Sequence, residues 1–212
     1  MVDSKKRLGL ICAFGIWLFS AVEIVAAKLS WLEQIQVETF AELRELERFQ
    51  LKAAEAFYTK SEFAAAAAEY EKFITLYESS HGAAYAQLMW SHCQVRQRKV
   101  YTAIRDGFRS VIDYWPESHE AKLSAYLIGQ SYKSIGEVKK AEAAYGKAIT
   151  AHPVDHIAVL SKWDMTEIAR IRKDPKRLAQ VWGDLVFNTK LNKQNRTYVE
   201  RAAQGLAKHH FA

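Results

Sequence analysis

Few residues in this 212-residue chain have the types and spacing that chemistry requires. His152 and His156 are four residues apart, a spacing that on one helix face can bind a metal ion. Pro153 lies between them at a helix start, however, and no third ligand is evident. Glycine-rich phosphate loops, nucleophile elbows and paired-cysteine metal motifs do not occur in the sequence. We therefore expect no catalytic residue, no bound metal and no cofactor, and we expect Cys93 to be a buried apolar residue rather than a reactive thiol.

The first 27 residues are arranged like a targeting signal. Basic residues at 5–7 precede an apolar run from Leu8 to Val22, and small residues lead to Ala27. This order is typical of a secretory signal peptide, so we predict cleavage after Ala27 and a protein that is exported to the periplasm or envelope. The alternative is an uncleaved membrane anchor, because Leu8–Ala27 is 20 residues long and about 20 apolar residues span a bilayer.

Charge is distributed unevenly along the chain. The net charge is +6, yet residues 28–90 carry 6 Lys and Arg against 10 Asp and Glu, and residues 152–212 carry 11 against 6. A basic end suits an acidic partner surface or electrostatic self-association. Because the basic residues form no dense run, nucleic acid is not expected as a partner.

Three segments of the chain repeat one apolar pattern. Equivalent aromatic positions are 38 residues apart from Tyr70 to Phe108 and 37 apart from Phe108 to Tyr145. Within each half of a segment, apolar residues recur every three or four positions, which predicts a pair of amphipathic helices. Gly136 lies between two such halves, where a helix end often needs positive φ. The second helices are expected to end before Pro116 and Pro153.

This pattern resembles the tetratricopeptide repeat (TPR) family. The resemblance covers about residues 47–153 and is strongest from Ala125 to Pro153. It implies an all-α fold, a right-handed α-solenoid of helical hairpins with capping helices at both ends. The long spacing and turns such as Trp115-Pro116-Glu117-Ser118 are similar to those of bacterial envelope members, including the Tol–Pal-associated cell-division coordinator and outer-membrane assembly lipoproteins. Such proteins are scaffolds that bind other proteins and are not enzymes.

The flanking segments are predicted to complete the array. Residues 28–50 are predicted to form one amphipathic helix, either laid on the first hairpin as a cap or used for oligomerisation. Residues 51–153 would hold the three repeats, and residues 154–212 a degenerate fourth hairpin and a capping helix. Asp174-Pro175 marks the start of a helix in this last part, since Asp is a good cap and Pro suits the first turn.

The resemblance also implies a binding site. In the family, the first helices of successive hairpins line a concave groove that receives a peptide or a partner's helix. Arg96 and Lys133 would hold acidic groups of that partner. The family's carboxylate clamp is not reproduced, because Leu51 and Glu55 occupy its positions. The groove positions, carried over to this sequence, are Tyr58, Met89, Arg96, Tyr126, Gln130 and Lys133.

Overall fold

The computed structural model describes residues 29–210, which are helical or lie in turns and short connections, with no strand in that range. The predicted signal or anchor, residues 1–27, lies outside the described residues. Within residues 29–210, no helix has the length and hydropathy needed to cross a bilayer. After a 3₁₀ turn at Trp31–Glu33, the helices are α1 (Val37–Glu42), α2 (Glu45–Thr59), α3 (Phe63–Leu76), α4 (Ala83–Arg96), α5 (Val100–Thr102), α6 (Arg109–Tyr114), α7 (His119–Ser134), α8 (Val138–Ala151), α9 (His156–Ile171), α10 (Pro175–Phe187) and α11 (Arg196–His210).

The helices form four consecutive hairpins in the described part of the chain. They are α2–α3, α4 with α5–α6, α7–α8 and α9–α10, and α11 then packs against α10. Each hairpin also packs against the next one, as between α3 and α4 or α8 and α9. One hairpin cannot bury its own apolar face, so this stacking builds the core. As the sequence predicts, α6 and α8 end two residues before Pro116 and Pro153.

The same turn joins the two helices of every hairpin. Its central residue has positive φ, and this residue recurs 37, 38 and 37 positions apart at Ser61, Arg98, Gly136 and Lys173. In each turn, the N–H of the next residue donates to the carbonyl five positions earlier, as from Glu62 to Phe57 at 3.0 Å. This is the Schellman arrangement, which satisfies carbonyls that a helix end leaves unpaired. The recurrence at Lys173 shows that the fourth hairpin follows the same plan as the first three.

The second hairpin contains one extra residue, which a π-helical turn accommodates. The large core residue of the second helix lies nine positions after the turn residue at Tyr70, Tyr145 and Trp182, but ten positions after it at Phe108. The turn at Ala103–Phe108 joins α5 to α6 without a break. A π-helical turn holds an additional residue without ending the helix, so Phe108 reaches the core and is 0% exposed.

Residues 29–50 do not form the single amphipathic helix that the sequence predicts for residues 28–50. After the 3₁₀ turn the backbone is extended at Gln36, and it is extended again at Leu43 and Arg44 between α1 and α2. The break turns the Leu43 side chain into the core of the first hairpin, where it is 3% exposed, and burial of one leucine stabilises the fold by about 2 kcal/mol. Glu47 then caps α2 by accepting the Arg44 N–H at 2.7 Å. The prediction of one helix was wrong because tertiary burial outweighs the local pattern.

The break also changes which side chains the segment exposes. Leu46 and Phe49, two members of the predicted stripe, are 71% and 73% exposed. The first hairpin is therefore capped by Leu43 and by the residues before it rather than by a continuous apolar stripe. Oligomerisation through this segment stays a prediction.

Candidate protein-binding groove

The predicted groove residues all lie on the first helices, α2, α4 and α7. We call the surface formed by α2, α4, α7 and α9 the groove. Met89 is 0% exposed and belongs to the core, while Tyr58 and Tyr126 are each 5% exposed. Their rings were expected to meet a partner, but they pack inside the array. Arg96, Gln130 and Lys133 remain partly exposed in the groove.

Arg96 and Tyr58 meet an acid that comes from the chain itself. The Tyr58 hydroxyl donates to Glu33 Oε1 at 2.5 Å, and the Arg96 guanidinium lies 3.5 Å from the same oxygen. The Tyr85 hydroxyl donates to the Glu33 carbonyl oxygen at 3.0 Å. Residues 29–33, which we call the N-terminal segment, therefore lie in the groove against α2 and α4. This segment occupies the place where an acidic group of a partner was expected.

Burial and hydrogen bonding act in opposite directions on the Glu33 carboxyl. Burial raises its pKa, but hydrogen bonds from the Tyr58 hydroxyl and from the Ser30 N–H and hydroxyl outweigh burial and leave the pKa below its ordinary value. Glu33 is consequently ionised at neutral pH while only 7% exposed. Burial, and then the Glu33 hydrogen bond, raise the pKa of Tyr58 well above its ordinary value. At neutral pH the Tyr58 hydroxyl therefore stays protonated and donates, and the Glu33 carboxylate stays ionised and accepts.

Tyr126 and Lys133 meet a second acid of the chain, Asp164 on α9. The Lys133 ammonium donates to Asp164 Oδ1 at 2.5 Å, and the hydroxyls of Tyr126 and Tyr145 each donate to Oδ2 at 2.9 Å. The Gln130 amide donates in turn to the Tyr126 hydroxyl at 2.6 Å. Asp164 is 7% exposed, so these donors offset the cost of burying its charge. The structure brings three predicted groove residues together, but around an acid that belongs to the chain.

The N-terminal segment, α4 and α7 line a cavity, and one of its lining residues has an unpaired polar atom. Its volume is about 280 Å³, and its lining includes Glu33, Arg96, Gln130, Ser134 and His92. His92 is 9% exposed, and its Nε2 has no hydrogen-bond partner. Burial lowers the pKa of His92 to about 4, so the ring is neutral at pH 7. The cavity has room for a small polar group beside Arg96 and Gln130, whereas His92 Nε2 itself is buried from solvent.

The groove also contains a cysteine and borders a histidine that the sequence marks as candidates for chemistry. Cys93 is 0% exposed, and burial raises the pKa of its thiol to about 12, so it is a buried apolar residue as expected. The His156 ring packs at 5.8 Å from the Trp31 ring and 5.9 Å from the Tyr198 ring. Among residues 29–210, no three or more His, Cys, Asp or Glu side chains are grouped to hold a metal ion.

Residues 124–153 match the tetratricopeptide repeat family model. They comprise most of the third hairpin, in which the sequence pattern is clearest. The chain is similar in fold to a tetratricopeptide repeat protein from Parabacteroides merdae, with a TM-score of 0.54 and 12% identity over 82% of this chain and 73% of that one. No curated protein sequence matches this chain. The match and the likeness support TPR-type hairpins as the architecture, and TPR arrays generally mediate contacts between proteins.

Three groove residues were not identified from the sequence: Glu33, His92 and Asp164. Glu33 was assigned to one face of a continuous helix, and the capping pattern Ser30–Glu33, which marks a helix start, is the signal that could have separated it. His92 is in α4 at a position where the repeat family prefers a small residue, and such a departure does not by itself indicate a site. Asp164 is an acid within an apolar helix pattern at Ile157, Leu160 and Ile168. An acid among apolar helix positions indicates that a donor side chain is buried beside it, but the sequence does not identify that side chain.

Proposed function

We propose that the chain is an exported scaffold that binds a protein or peptide partner in the groove and supports assembly of an envelope complex without catalysing a reaction. The observation that carries this proposal is the N-terminal segment lying in the groove. A short stretch in a 3₁₀ turn is held there by side chains of α2 and α4. A surface that holds one such stretch has the shape and donors to hold another.

The exposed parts of the groove favour an acidic partner. The Arg96 side chain is 55% exposed and the Lys133 side chain 27% exposed, so both retain donors for a carboxylate besides those already used. The guanidinium has five N–H donors and the ammonium three. An acidic stretch of a partner that follows the groove would meet Arg96 first on α4 and then Lys133 on α7.

Export rests on the first 27 residues. Their basic, apolar and small-residue order supports a cleaved signal, and the alternative is a single-pass anchor that makes the chain a subunit organising a larger membrane complex. Mass spectrometry of the mature protein separates these two. A mature amino terminus at Lys28 would eliminate the anchor, and an intact start would eliminate cleavage.

Site-specific photocrosslinking tests the groove as the binding surface. A photoreactive amino acid at Ser134, exposed at the edge of the groove cavity, should give crosslinks to a specific protein in the native envelope. The same amino acid at Lys139, exposed on the second helix of that hairpin, is the matched control. Crosslinks to one protein from position 134 alone support the proposal, and equal crosslinks from both positions contradict it.

A further inference from the structure

The N-terminal segment is held in the groove by apolar contacts and by a small set of hydrogen bonds. Leu29 packs against the apolar cluster of the first hairpins, Leu32 against the cluster of the later ones, and Trp31 against His156 at the start of α9. Its hydrogen bonds to the array are made by the side chain and carbonyl of Glu33 and by the backbone of Leu32, which bonds to the His92 ring. Internally it is a single turn, closed by the Ser30 N–H donating to Glu33 Oε2 at 3.0 Å. Glu33 therefore makes most of the polar contacts by which the segment docks.

The segment also leaves recognition groups of the groove unused. The 3.5 Å separation between Arg96 and Glu33 Oε1 is long for a charge-assisted hydrogen bond, which is usually about 2.7–2.9 Å. The cavity beside Arg96 and Gln130 has a volume of about 280 Å³. A ligand that pairs with Arg96 at shorter distance and places a polar group in this cavity would make contacts that the segment does not make.

We infer that the N-terminal segment is an intramolecular ligand of the groove, and that the partner is a short acidic peptide which displaces it by presenting the same chemistry. That chemistry is a glutamate or aspartate side chain directly after a large aliphatic residue, as in Leu32-Glu33. The carboxylate enters between the Tyr58 hydroxyl and the Arg96 guanidinium, and the aliphatic side chain packs beside Leu127 and Phe108. This inference rests on the proposed function, since it specifies the partner of the same groove.

Competition between the two ligands lowers the apparent affinity for the partner. Suppose that the segment occupies the groove in more than about nine molecules out of ten. The groove is then open to a separate peptide in fewer than about one molecule out of ten, and the apparent dissociation constant of that peptide rises about tenfold or more. Opening the segment by mutation should remove this effect. The expected signature is therefore a gain of binding when contacts of the segment are removed.

The test uses a fluorescent peptide with the sequence of residues 29–36 and measures its anisotropy against the full chain. We expect the Leu32→Ala/Glu33→Gln variant to bind this peptide about tenfold more tightly than the unmodified chain. A peptide with glutamine in place of its glutamate should bind the opened variant about tenfold more weakly. Adding Arg96→Ala to the opened variant should weaken binding of the original peptide by a similar factor. Glu38→Gln, a change at an exposed acid on α1, is the matched control and should bind like the unmodified chain.

Two results would overturn the inference. The opened variant, folded by circular dichroism, could bind the peptide no better than the unmodified chain, in which case the segment is a permanent part of the fold. If the opened variant does not fold, hydrogen exchange of the unmodified chain decides. Exchange of the hydrogen-bonded Ser30 and Glu33 amides well before those of α2 and α4 supports a detachable segment, and exchange together with them contradicts it. Because this assay needs no natural partner, peptide binding without any crosslinked protein would contradict the proposed function alone.

Discussion

Gly129 is the position where the structure predicts the clearest cost for a single methyl group. A Cβ atom at residue 129 would lie 2.4 Å from Cε1 and 2.5 Å from Cδ1 of Tyr145. Contacts under about 3 Å between carbon atoms are strongly repulsive, since the optimal separation is about 3.5–4.0 Å. The Tyr145 ring is 0% exposed, and its hydroxyl donates to Asp164, so it can move away only by losing that bond.

The size of the effect follows from three contributions. Overpacking a tight core costs about 1–3 kcal/mol, and weakening the hydrogen bond from Tyr145 to a charged acceptor adds about 1 kcal/mol. Alanine in place of glycine inside a helix offsets about 1 kcal/mol. We therefore expect Gly129→Ala to lower the free energy of unfolding by about 2 kcal/mol. For a chain of this length that is a fall of about 4–8 °C in Tm.

Gly146→Ala provides the matched control in the same hairpin. Gly146 also lies inside a helix, α8, but a Cβ atom there would meet nothing within 4 Å. The gain in helix preference should then act alone and raise the free energy of unfolding by up to about 1 kcal/mol. Urea unfolding followed by circular dichroism measures both variants. If Gly129→Ala is as stable as Gly146→Ala, the close approach of α7 and α8 is not rigid and the reasoning fails.

Three further changes test the turns, the Asp164 cluster and the buried histidine. Lys173→Gly should raise the free energy of unfolding by about 0.5–1 kcal/mol, because lysine at φ 54° is strained and glycine is not. Asp164→Asn should lower it by about 2–4 kcal/mol, since three buried or half-buried donors lose a charged acceptor. The lowered pKa of His92, about 4 against an ordinary 6.5, means that the unfolded chain binds a proton that the folded chain does not. Neutral His92 therefore leaves the free energy of unfolding unaffected above about pH 6.5. At lower pH, proton binding by the unfolded chain lowers the free energy of unfolding, by about 1 kcal/mol at about pH 5.5 and about 3 kcal/mol at about pH 4. His92→Leu should remove this part of the pH dependence.

Urea titrations check all three, and each has a result that contradicts it. A loss of stability in Lys173→Gly would mean that the lysine side chain contributes more than its backbone costs. An unchanged midpoint in Asp164→Asn would mean that water already serves the donors. For His92, the comparison is the difference between variant and unmodified chain at about pH 7.5 and about pH 5.5, because carboxyl groups such as Glu33 titrate in both. An equal fall in both proteins would show that the histidine does not titrate in this range.

The hairpins could be predicted from the sequence because their signals are local. Gly136 has φ 78°, and Asp174 caps α10 by accepting the Arg177 N–H at 2.9 Å, both as their residue types indicate. The other three turns carry no such signal, since Ser61, Arg98 and Lys173 take positive φ without being glycine. There the Schellman bonds and the packing of both helices impose the conformation against residue preference.

The groove could be predicted only as a place, and not as a set of contacts. The hydrogen bond between Tyr58 and Glu33 joins residues 25 positions apart in the sequence, and the bond between Tyr126 and Asp164 joins residues 38 positions apart. At such sequence separations, the period of a helix or strand does not relate two positions. Family positions predicted Arg96 and Lys133 on this face, which the structure shows. They did not predict that acids of the same chain would reach both side chains first.

The π-helical turn in the second hairpin has a consequence for how the array can change in length. Because the surplus residue between Arg98 and Phe108 is taken up inside one turn, Phe108 and Val111 are buried like their counterparts Tyr145 and Ala148 in the next hairpin. Single-residue insertions in a second helix are thus local events. Neighbouring hairpins of this array can therefore differ in length by one residue while the buried positions that pack between them stay matched.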